Sequence, residues 1–283
     1  MPSVDRFVPA NGIRLHVIDH AGGNPPVVLL PGLSSNAHAF DGLVTAGLGP
    51  HHRVLAFDLR GRAQSDKPAS GYSMADHAAD VLGVLDRLGL GSVVIGGHSF
   101  GGLLSIYLAA NEPERVDRAV IIDASAAMHP EVRDLIEPSI ARLRWIADSE
   151  SAYLDGIRSQ PYLGGFWDSS IETYYRAEVQ VMADGRVRSS TSADAIAQAL
   201  DQVLAEPWSE HVARIEQPTL VINATEGFGP PGSPPVQPPD LARVTVAALA
   251  RGRYAAVPGN HLTMLFGSNA AAVAAAIRGF LAD

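Results

Sequence analysis

Short apolar runs rich in β-branched residues recur along the chain, and stretches of helical periodicity separate them. A run that is apolar at every position is typical of a strand buried on both faces of a parallel sheet. Runs of this kind, a few with one polar residue, lie at 27–30, 54–57, 93–95, 119–122, 218–222 and 254–257. Apolar residues from Met74 to Leu88 repeat at helical spacing, with Ser73 as the expected N-cap and Gly89 as the expected end. This alternation predicts a doubly wound, mostly parallel α/β sheet.

The two ends of the chain carry further local signals. Residues 7–10 and 13–18 flank Asn11-Gly12, which predicts an antiparallel β-hairpin with a tight turn at the start of the sheet. Ser268 or Asn269 is the expected cap of a final alanine-rich helix that runs to Leu281.

Residues 126–210 interrupt the alternation. They show helical patterns but no convincing strand, and a stretch of about 85 residues is too long for a plain connection. The helical patterns centre on 132–146, 152–158, 171–181 and 193–204. We therefore expect a core domain made of 1–125 and 211–283, and a helical cap at 126–210 that covers the carboxyl edge of the sheet. One or two aromatic residues of this cap are expected to line an apolar pocket.

Composition narrows the class of protein. Hydrophobic residues make up 47% of the chain and charged residues 18%, which is typical of a well-buried globular protein. The net charge is −9 and no basic run is present, so nucleic acid and anionic membranes are disfavoured as partners. The chain has no cysteine, which excludes disulfides, thiol nucleophiles and thiolate metal sites. Because no apolar leader or membrane span is evident, we expect a soluble, cytoplasmic protein.

The sequence Gly97-His98-Ser99-Phe100-Gly101 stands between an apolar strand pattern and a helical pattern. A strand that turns sharply into a helix strains the backbone of the residue at the apex and requires small residues two positions before and after it. The apex side chain then lies at the carboxyl end of the strand, beside a helix N-terminus that favours negative charge. We therefore predict that Ser99 is a nucleophile.

A serine of ordinary pKa needs a general base, which is usually histidine. His261 follows the last predicted strand and precedes the final helix, where a loop can bring an imidazole over Ser99. The other histidines lie in the hairpin, in early loops, in helices or in the expected cap, and His98 should pack or hydrogen-bond beneath the nucleophile. His261 is therefore the predicted base.

With these residues in place, the chain resembles the α/β-hydrolase family, in an esterase-like branch that carries a cap. The resemblance rests on residues 97–101, on the loop from Asp58 to Pro68 and on Gly259-Asn260-His261, and it covers nearly all of the chain outside the cap. Two positions depart from the family pattern. Pro31-Gly32 stands where His-Gly is usual, and Arg62 stands where histidine is common.

The resemblance also implies the rest of the site. It assigns the oxyanion contacts to the backbone N–H groups of Leu33 and Phe100, and it implies that no cofactor or metal is required. Two N–H donors stabilise the charge that develops on a carbonyl oxygen by about 3 kcal/mol each in measured cases.

More than one residue is a candidate for the carboxylate that orients His261. The family commonly places it in the loop after the penultimate strand, where this chain has Glu226 one position early and Gly227 at the usual place. Some branches, including certain dehalogenases and lactone-cleaving hydrolases, instead place it after the strand that follows the nucleophile, where this chain has Asp123. We favour Asp123 over Glu226, with Asp240 as a more distant third candidate.

The predicted catalytic set is therefore Ser99, Asp123 and His261. The predicted substrate is a small-molecule apolar carboxylic ester or lactone, which Ser99 would cleave through an acyl-enzyme. C–C bond hydrolases and perhydrolases share this frame, and fold does not choose among them. Epoxide hydrolases and haloalkane dehalogenases are disfavoured because they carry aspartate where Ser99 stands. A non-catalytic receptor of the same fold is the alternative from another class, and such a receptor should not react with a fluorophosphonate.

Overall fold

The computed structural model describes residues 3–283. Its strands, numbered in chain order, are β1 (Ser3–Ala10), β2 (Ile13–His20), β3 (Val27–Leu30), β4 (Val54–Phe57), β5 (Val93–His98), β6 (Val116–Ile122), β7 (Ile146–Ala147), β8 (Val179–Val181), β9 (Val187–Ser189), β10 (Thr219–Ala224) and β11 (Gly252–Val257). Eight of them form one sheet in the order β1-β2-β4-β3-β5-β6-β10-β11. β2 pairs antiparallel with β1 and β4, and the remaining pairs are parallel. The predicted mostly parallel sheet with an initial hairpin is confirmed.

The continuous apolar runs follow from burial on both faces of this sheet. All four residues of β3 are buried. Val28 and Leu30 join the core on one face, whereas Val27 and Leu29 join the core on the other, because successive strand residues point to opposite sides. Each face therefore needs its own covering layer of helices.

The helices occupy the spaces between the strands and cover both faces. The α-helices span Met74–Arg87, Phe100–Asn111, Val132–Ala141, Glu150–Arg158, Ser169–Arg176, Ala193–Ala205, Trp208–Ala213, Pro239–Ala248 and Gly267–Ala282, and a series of short helical turns fills 37–51. Ser73 is the N-cap of the first of these helices, as predicted, and forms a reciprocal capping box with Asp76. None of the helices described within 3–283 is long and apolar enough to cross a bilayer.

The predicted N-cap of the final helix, Ser268 or Asn269, is wrong. The helix begins at Gly267, so Ser268 and Asn269 lie inside its first turn. The Asn269 side chain donates instead to the carbonyl oxygen of Thr263, at 3.2 Å. A polar residue near a helix start is therefore used here to hold the preceding turn.

The segment between β6 and β10 differs from the prediction in one respect. It contains β7, β8 and β9, which form a small antiparallel sheet where no strand was expected. As a result, the helix expected around 171–181 ends at Arg176, and the one expected around 132–146 ends at Ala141. Strands of two or three residues are too short to show an alternating pattern in the sequence.

The carboxyl ends of the central parallel strands converge on one edge of the sheet, where ligands bind in folds of this kind. Leu33 follows β3, Ser99 follows β5, Asp123 follows β6 and His261 follows β11. Residues that are far apart in the chain therefore meet at this edge.

Candidate active site

Ser99 lies at the apex of the sharp turn between β5 and the helix Phe100–Asn111. Its φ of +54° is in the region that residues other than glycine rarely adopt. A Cβ atom on Gly97 would lie 2.2 Å from the carbonyl oxygen of Gly101, and one on Gly101 would lie 1.9 Å from that of Leu30. Both glycines are therefore required by close packing, which is the physical basis for the Gly-x-Ser-x-Gly spacing.

His261 bridges Ser99 and Asp123. Its Nε2 atom lies 3.0 Å from the Ser99 Oγ atom, and its Nδ1 atom lies 2.7 Å from Asp123 Oδ2. The carboxylate can only accept, so Nδ1 carries the proton and the lone pair of Nε2 faces the hydroxyl. The imidazole is thus oriented to take a proton from Ser99.

Asp123 is held firmly at the end of β6. It is almost completely buried and has a φ of +48°, a second strained position at this edge of the sheet. Its Oδ1 atom accepts hydrogen bonds from the backbone N–H of Ala224 at 2.8 Å and from the Asn223 side chain at 2.9 Å. With Oδ1 occupied in this way, Oδ2 is directed at His261. The buried Asn223 is a contributor that the sequence analysis missed.

The other two candidate carboxylates lie elsewhere. Glu226 is exposed, and its Oε1 atom accepts the backbone N–H of Gly259 at 3.1 Å, so it braces the turn before His261 without contacting the imidazole. Asp240 is exposed in the first turn of the helix Pro239–Ala248.

Leu33 and Phe100 flank Ser99, and both are buried. Within residues 3–283, neither backbone N–H donates a hydrogen bond to another protein group. For Phe100 this follows from its place at the start of a helix, where the first N–H groups have no intrahelical partner. The Phe100 side chain packs into the core against His77, with ring centroids 5.0 Å apart.

Arg62 contacts both Leu33 and Phe100. Its Nε atom donates to the carbonyl oxygen of Leu33 at 3.0 Å, and its guanidinium carbon lies 5.0 Å from the centre of the Phe100 ring. Its Nη1 atom donates to the Arg60 carbonyl oxygen and to His77 Nε2. Burial lowers the pKa of Arg62 to about 9. In the sequence, Arg62 is distinguished only as a departure from the family pattern.

His98, which was expected to pack beneath the nucleophile, contacts the ring and the backbone of His261. Its Nε2–H donates to the backbone carbonyl oxygen of His261 at 2.6 Å, and the centroids of the two imidazole rings are 4.6 Å apart. Burial, with a smaller contribution from the neighbouring His261, lowers the pKa of His98 to about 3. His98 is therefore a neutral support for the loop that carries His261.

A cavity of about 60 Å³ lies over Ser99. Its walls come from the loop after β3, from the region of His261 and from the segment between β6 and β10, which contributes Ile136, Ile140, Tyr174 and Tyr175. Two tyrosines of that segment thus face the cavity over Ser99, whereas Trp167 stacks behind one of them at a centroid distance of 6.0 Å.

One wall of this cavity contains a buried ion pair that the sequence analysis missed. Arg142 pairs with Glu178, and its Nη2 atom also donates to the carbonyl oxygen of Ser34 at 3.1 Å. Glu178 accepts a further hydrogen bond from the Tyr153 hydroxyl at 2.8 Å. This network ties the segment between β6 and β10 to the loop that follows β3. A buried arginine has the same local sequence signal as an exposed one, so its position could not be predicted.

Comparisons with known proteins agree with this architecture. A family model described as alpha/beta hydrolase fold matches residues 25–267. The chain is 29% identical over 199 residues to 2-(acetamidomethylene)succinate hydrolase of Mesorhizobium japonicum, a match that covers 69% of this chain and 68% of that enzyme. It is 32% identical over 153 residues to 2-hydroxymuconate semialdehyde hydrolase of Pseudomonas putida, covering 52% and 54% of the two chains.

Solved structures extend the similarity over the whole fold. The crystal structure of E-2-(acetamidomethylene)succinate hydrolase matches with a TM-score of 0.85 at 24% identity, and the match covers 100% of both chains. The enol-lactonase of Burkholderia xenovorans matches with a TM-score of 0.75 at 23% identity, covering 98% of this chain and 100% of that one. At these identities the structural matches establish a shared fold.

Proposed function

This chain belongs to the α/β-hydrolase fold family, and we propose that it is a serine hydrolase that cleaves carboxylic esters or lactones through an acyl-enzyme. The observation that carries the proposal is the placement of His261 Nε2 3.0 Å from the Ser99 hydroxyl, with Asp123 2.7 Å behind the imidazole. A nucleophile, a base and a group that orients the base are the minimum set for this chemistry.

In the proposed reaction, Ser99 Oγ attacks the carbonyl carbon of the substrate while His261 Nε2 takes the hydroxyl proton. The N–H groups of Leu33 and Phe100 donate to the oxyanion of the tetrahedral intermediate. His261 then gives its proton to the leaving oxygen, and an acyl-enzyme remains on Ser99. Asp123 stabilises the imidazolium that forms in each step. Water, activated by His261, releases the acid and restores Ser99.

The segment 126–210 is proposed to act as the cap of the site. Its Ile136, Ile140, Tyr174 and Tyr175 side chains line the cavity over Ser99. A cavity enclosed in this way excludes water during acylation and strengthens the electrostatic contacts inside it. The small free volume, about 60 Å³, favours small substrates.

Hydrolysis of a C–C bond is the second candidate. The 32% identity to 2-hydroxymuconate semialdehyde hydrolase favours it, although that match covers only about half of each chain. The similarity in fold to an enol-lactonase is compatible with the first candidate but does not choose between the two. Both reactions use the same serine, base and oxyanion donors, so only the identity of the substrate that is turned over distinguishes them.

A substrate panel tests the proposal. The purified enzyme is assayed with methyl acetate, a small lactone and 2-hydroxymuconate semialdehyde, with the Ser99→Ala variant as the control for background. We expect turnover of the ester or the lactone at a kcat/KM at least tenfold above that for the semialdehyde. Turnover of the semialdehyde alone would establish the C–C hydrolase and overturn the proposal.

A further inference from the structure

A second cavity adjoins the one over Ser99, and Phe228 lines both of them. Its volume is about 200 Å³. The walls are mainly apolar and include Leu135, Pro138, Pro161 and Tyr162. Several of its lining residues are exposed, so it is open to solvent, and its volume exceeds the roughly 150 Å³ that hold a benzene molecule in an enclosed cavity. The Phe228 side chain therefore stands between the candidate nucleophile and an apolar space that could hold part of a substrate.

The Phe228 ring is wedged between two other rings. It stacks on Tyr162 at a centroid distance of 5.1 Å, and it lies nearly perpendicular to the imidazole of His261 at a centroid distance of 5.8 Å. Tyr162 is itself fixed to the His261 loop, because its carbonyl oxygen accepts a hydrogen bond of 2.7 Å from the Asn260 side chain. The ring is almost completely buried and lines both cavities, so it separates them in this structure.

The backbone around Phe228 holds the ring in that position. Its N–H donates to the carbonyl oxygen of Pro234 at 3.0 Å, which folds the loop back on itself. A Cβ atom on Gly227 would lie 2.0 Å from the carbonyl oxygen of Ser233, and Gly229 has a φ of +141°. Only glycine fits readily at these two positions, so the loop is built to present the aromatic ring at one defined place.

The position of His261 indicates which half of a substrate meets Phe228. The leaving oxygen must lie within hydrogen-bond reach of His261 Nε2 to receive its proton. Any group attached to that oxygen therefore begins beside the imidazole, and the Phe228 ring packs against the same imidazole. The second cavity accordingly lies on the leaving-group side, beyond the ring.

We propose that Phe228 determines leaving-group specificity: it excludes bulky apolar alcohols by separating the site from the second cavity. The preferred substrates are then esters of short alcohols, or lactones, whose leaving oxygen stays tethered to the acyl chain. This inference rests on the proposed ester or lactone hydrolysis.

The test compares two ester series in the wild-type protein and in Phe228→Ala. One series keeps the acetyl group and varies the alcohol from methanol to benzyl alcohol, and the other keeps methanol and varies the acid from acetate to hexanoate. For wild type we expect kcat/KM for benzyl acetate to be at least about tenfold below that for methyl acetate, since single methylenes in apolar pockets give about 10- to 200-fold discrimination. Phe228→Ala should raise the ratio of benzyl to methyl acetate at least about tenfold, with little change in the acyl series.

Ratios are used because Phe228 also touches His261. A general loss of activity from a disturbed imidazole affects both esters equally and cancels. Leu135→Phe adds bulk to another lining residue of the second cavity, so the Phe228→Ala, Leu135→Phe double variant should return the ratio to the wild-type value. If the alanine variant does not fold, Phe228→Leu is used instead, because it removes less of the side chain that separates the two cavities.

Three results would overturn the inference: an unchanged alcohol ratio in Phe228→Ala, an equal change in the acyl series, or no reversal by Leu135→Phe. Failure of the proposed function looks different, because then wild type and Phe228→Ala would both fail to hydrolyse methyl acetate. In that event, the binding of benzyl alcohol is measured by ligand-observed NMR. Tighter binding to Phe228→Ala than to wild type supports the closed subsite, and equal binding contradicts it.

Discussion

The carboxylate of Asp123 and the imidazole of His261 are 2.7 Å apart, although 138 positions separate the two residues in the chain. Asp123 follows β6 and His261 follows β11, and β10 lies between these strands in the sheet. The contact depends on Ala224 and Asn223 at the end of β10, which bind the other carboxylate oxygen. The orientation of the proposed base is therefore set by three neighbouring strands together.

Replacing this carboxylate should abolish most of the activity. Asp123→Asn keeps the shape but favours the wrong imidazole tautomer, so we expect kcat for ester hydrolysis to fall about 10⁴-fold with KM little changed. Glu226→Gln removes a charge that braces Gly259 and should lower kcat less than about tenfold. Steady-state kinetics of the two variants check this. If Glu226→Gln loses as much activity as Asp123→Asn, the assignment of Asp123 is wrong.

Arg62 should influence the rate through Leu33 and Phe100. Arg62→Met keeps the length of the side chain but removes the donor to the Leu33 carbonyl and the cation near the Phe100 ring. Complete loss of one oxyanion donor costs about 10²- to 10³-fold in kcat, so displacing the donors should cost about 10- to 100-fold. KM should change little, because Arg62 is completely buried and does not line the cavity over Ser99.

Arg60→Met is the matched control for this variant. Arg60 is buried in the same loop but pairs with Asp80, so its loss leaves a buried carboxylate uncompensated. Breaking such a pair costs about 3–5 kcal/mol of unfolding free energy. We expect Arg60→Met to lower stability strongly while kcat of the folded enzyme stays within a few-fold of wild type. Equal losses of kcat in both variants would show that Arg62 has only a general structural role.

The burial of His98 predicts a pH dependence of stability. The pKa of His98 is about 3 in the folded protein and near its ordinary value of 6.5 in the unfolded chain. Between these values the unfolded state binds a proton that the folded state does not, so the free energy of unfolding falls as the pH is lowered. The slope from one such group reaches about 1.4 kcal/mol per pH unit. His77, whose pKa is also lowered, acts in the same direction, whereas the raised pKa of His16 changes the stability only above its ordinary value of 6.5.

His98→Gln isolates this contribution. The amide can still donate to the carbonyl oxygen of His261 but does not titrate. Urea unfolding of both proteins is measured at several values between pH 4 and 6.5. The free energy of unfolding should depend less steeply on pH in the variant, by a slope that corresponds to about one proton. Identical slopes would mean that His98 is not the neutral, buried group described above.

Local patterns sufficed for the parts of the fold and site that depend on local physics. The buried strands were predicted because burial on both faces leaves an apolar residue at every position. The spacing of Gly97, Ser99 and Gly101 was informative because each glycine is forced by a close backbone contact. His261 was found because a loop after the last strand reaches Ser99 in folds of this type.

Features that depend on tertiary packing were not predictable in this way. Asp123 faces His261 because the end of β10 binds its other carboxylate oxygen, whereas the Glu226 carboxylate accepts the backbone N–H of Gly259. The buried positions of Arg62 and Arg142 have no signal in the sequence, since each is stabilised by partners distant in the chain. Phe228 lies in a Pro- and Gly-rich loop that gave no indication of a ring packed against His261.

The most direct test of the account is whether Ser99 reacts as a nucleophile. Intact-protein mass spectrometry after incubation with a fluorophosphonate should show one phosphonyl adduct on wild type and none on Ser99→Ala. Ser35→Ala, which removes another hydroxyl from the same cavity wall, serves as the control and should be labelled as fast as wild type. Equal labelling of Ser99→Ala, or no labelling of the wild-type protein, would contradict the proposed serine hydrolase.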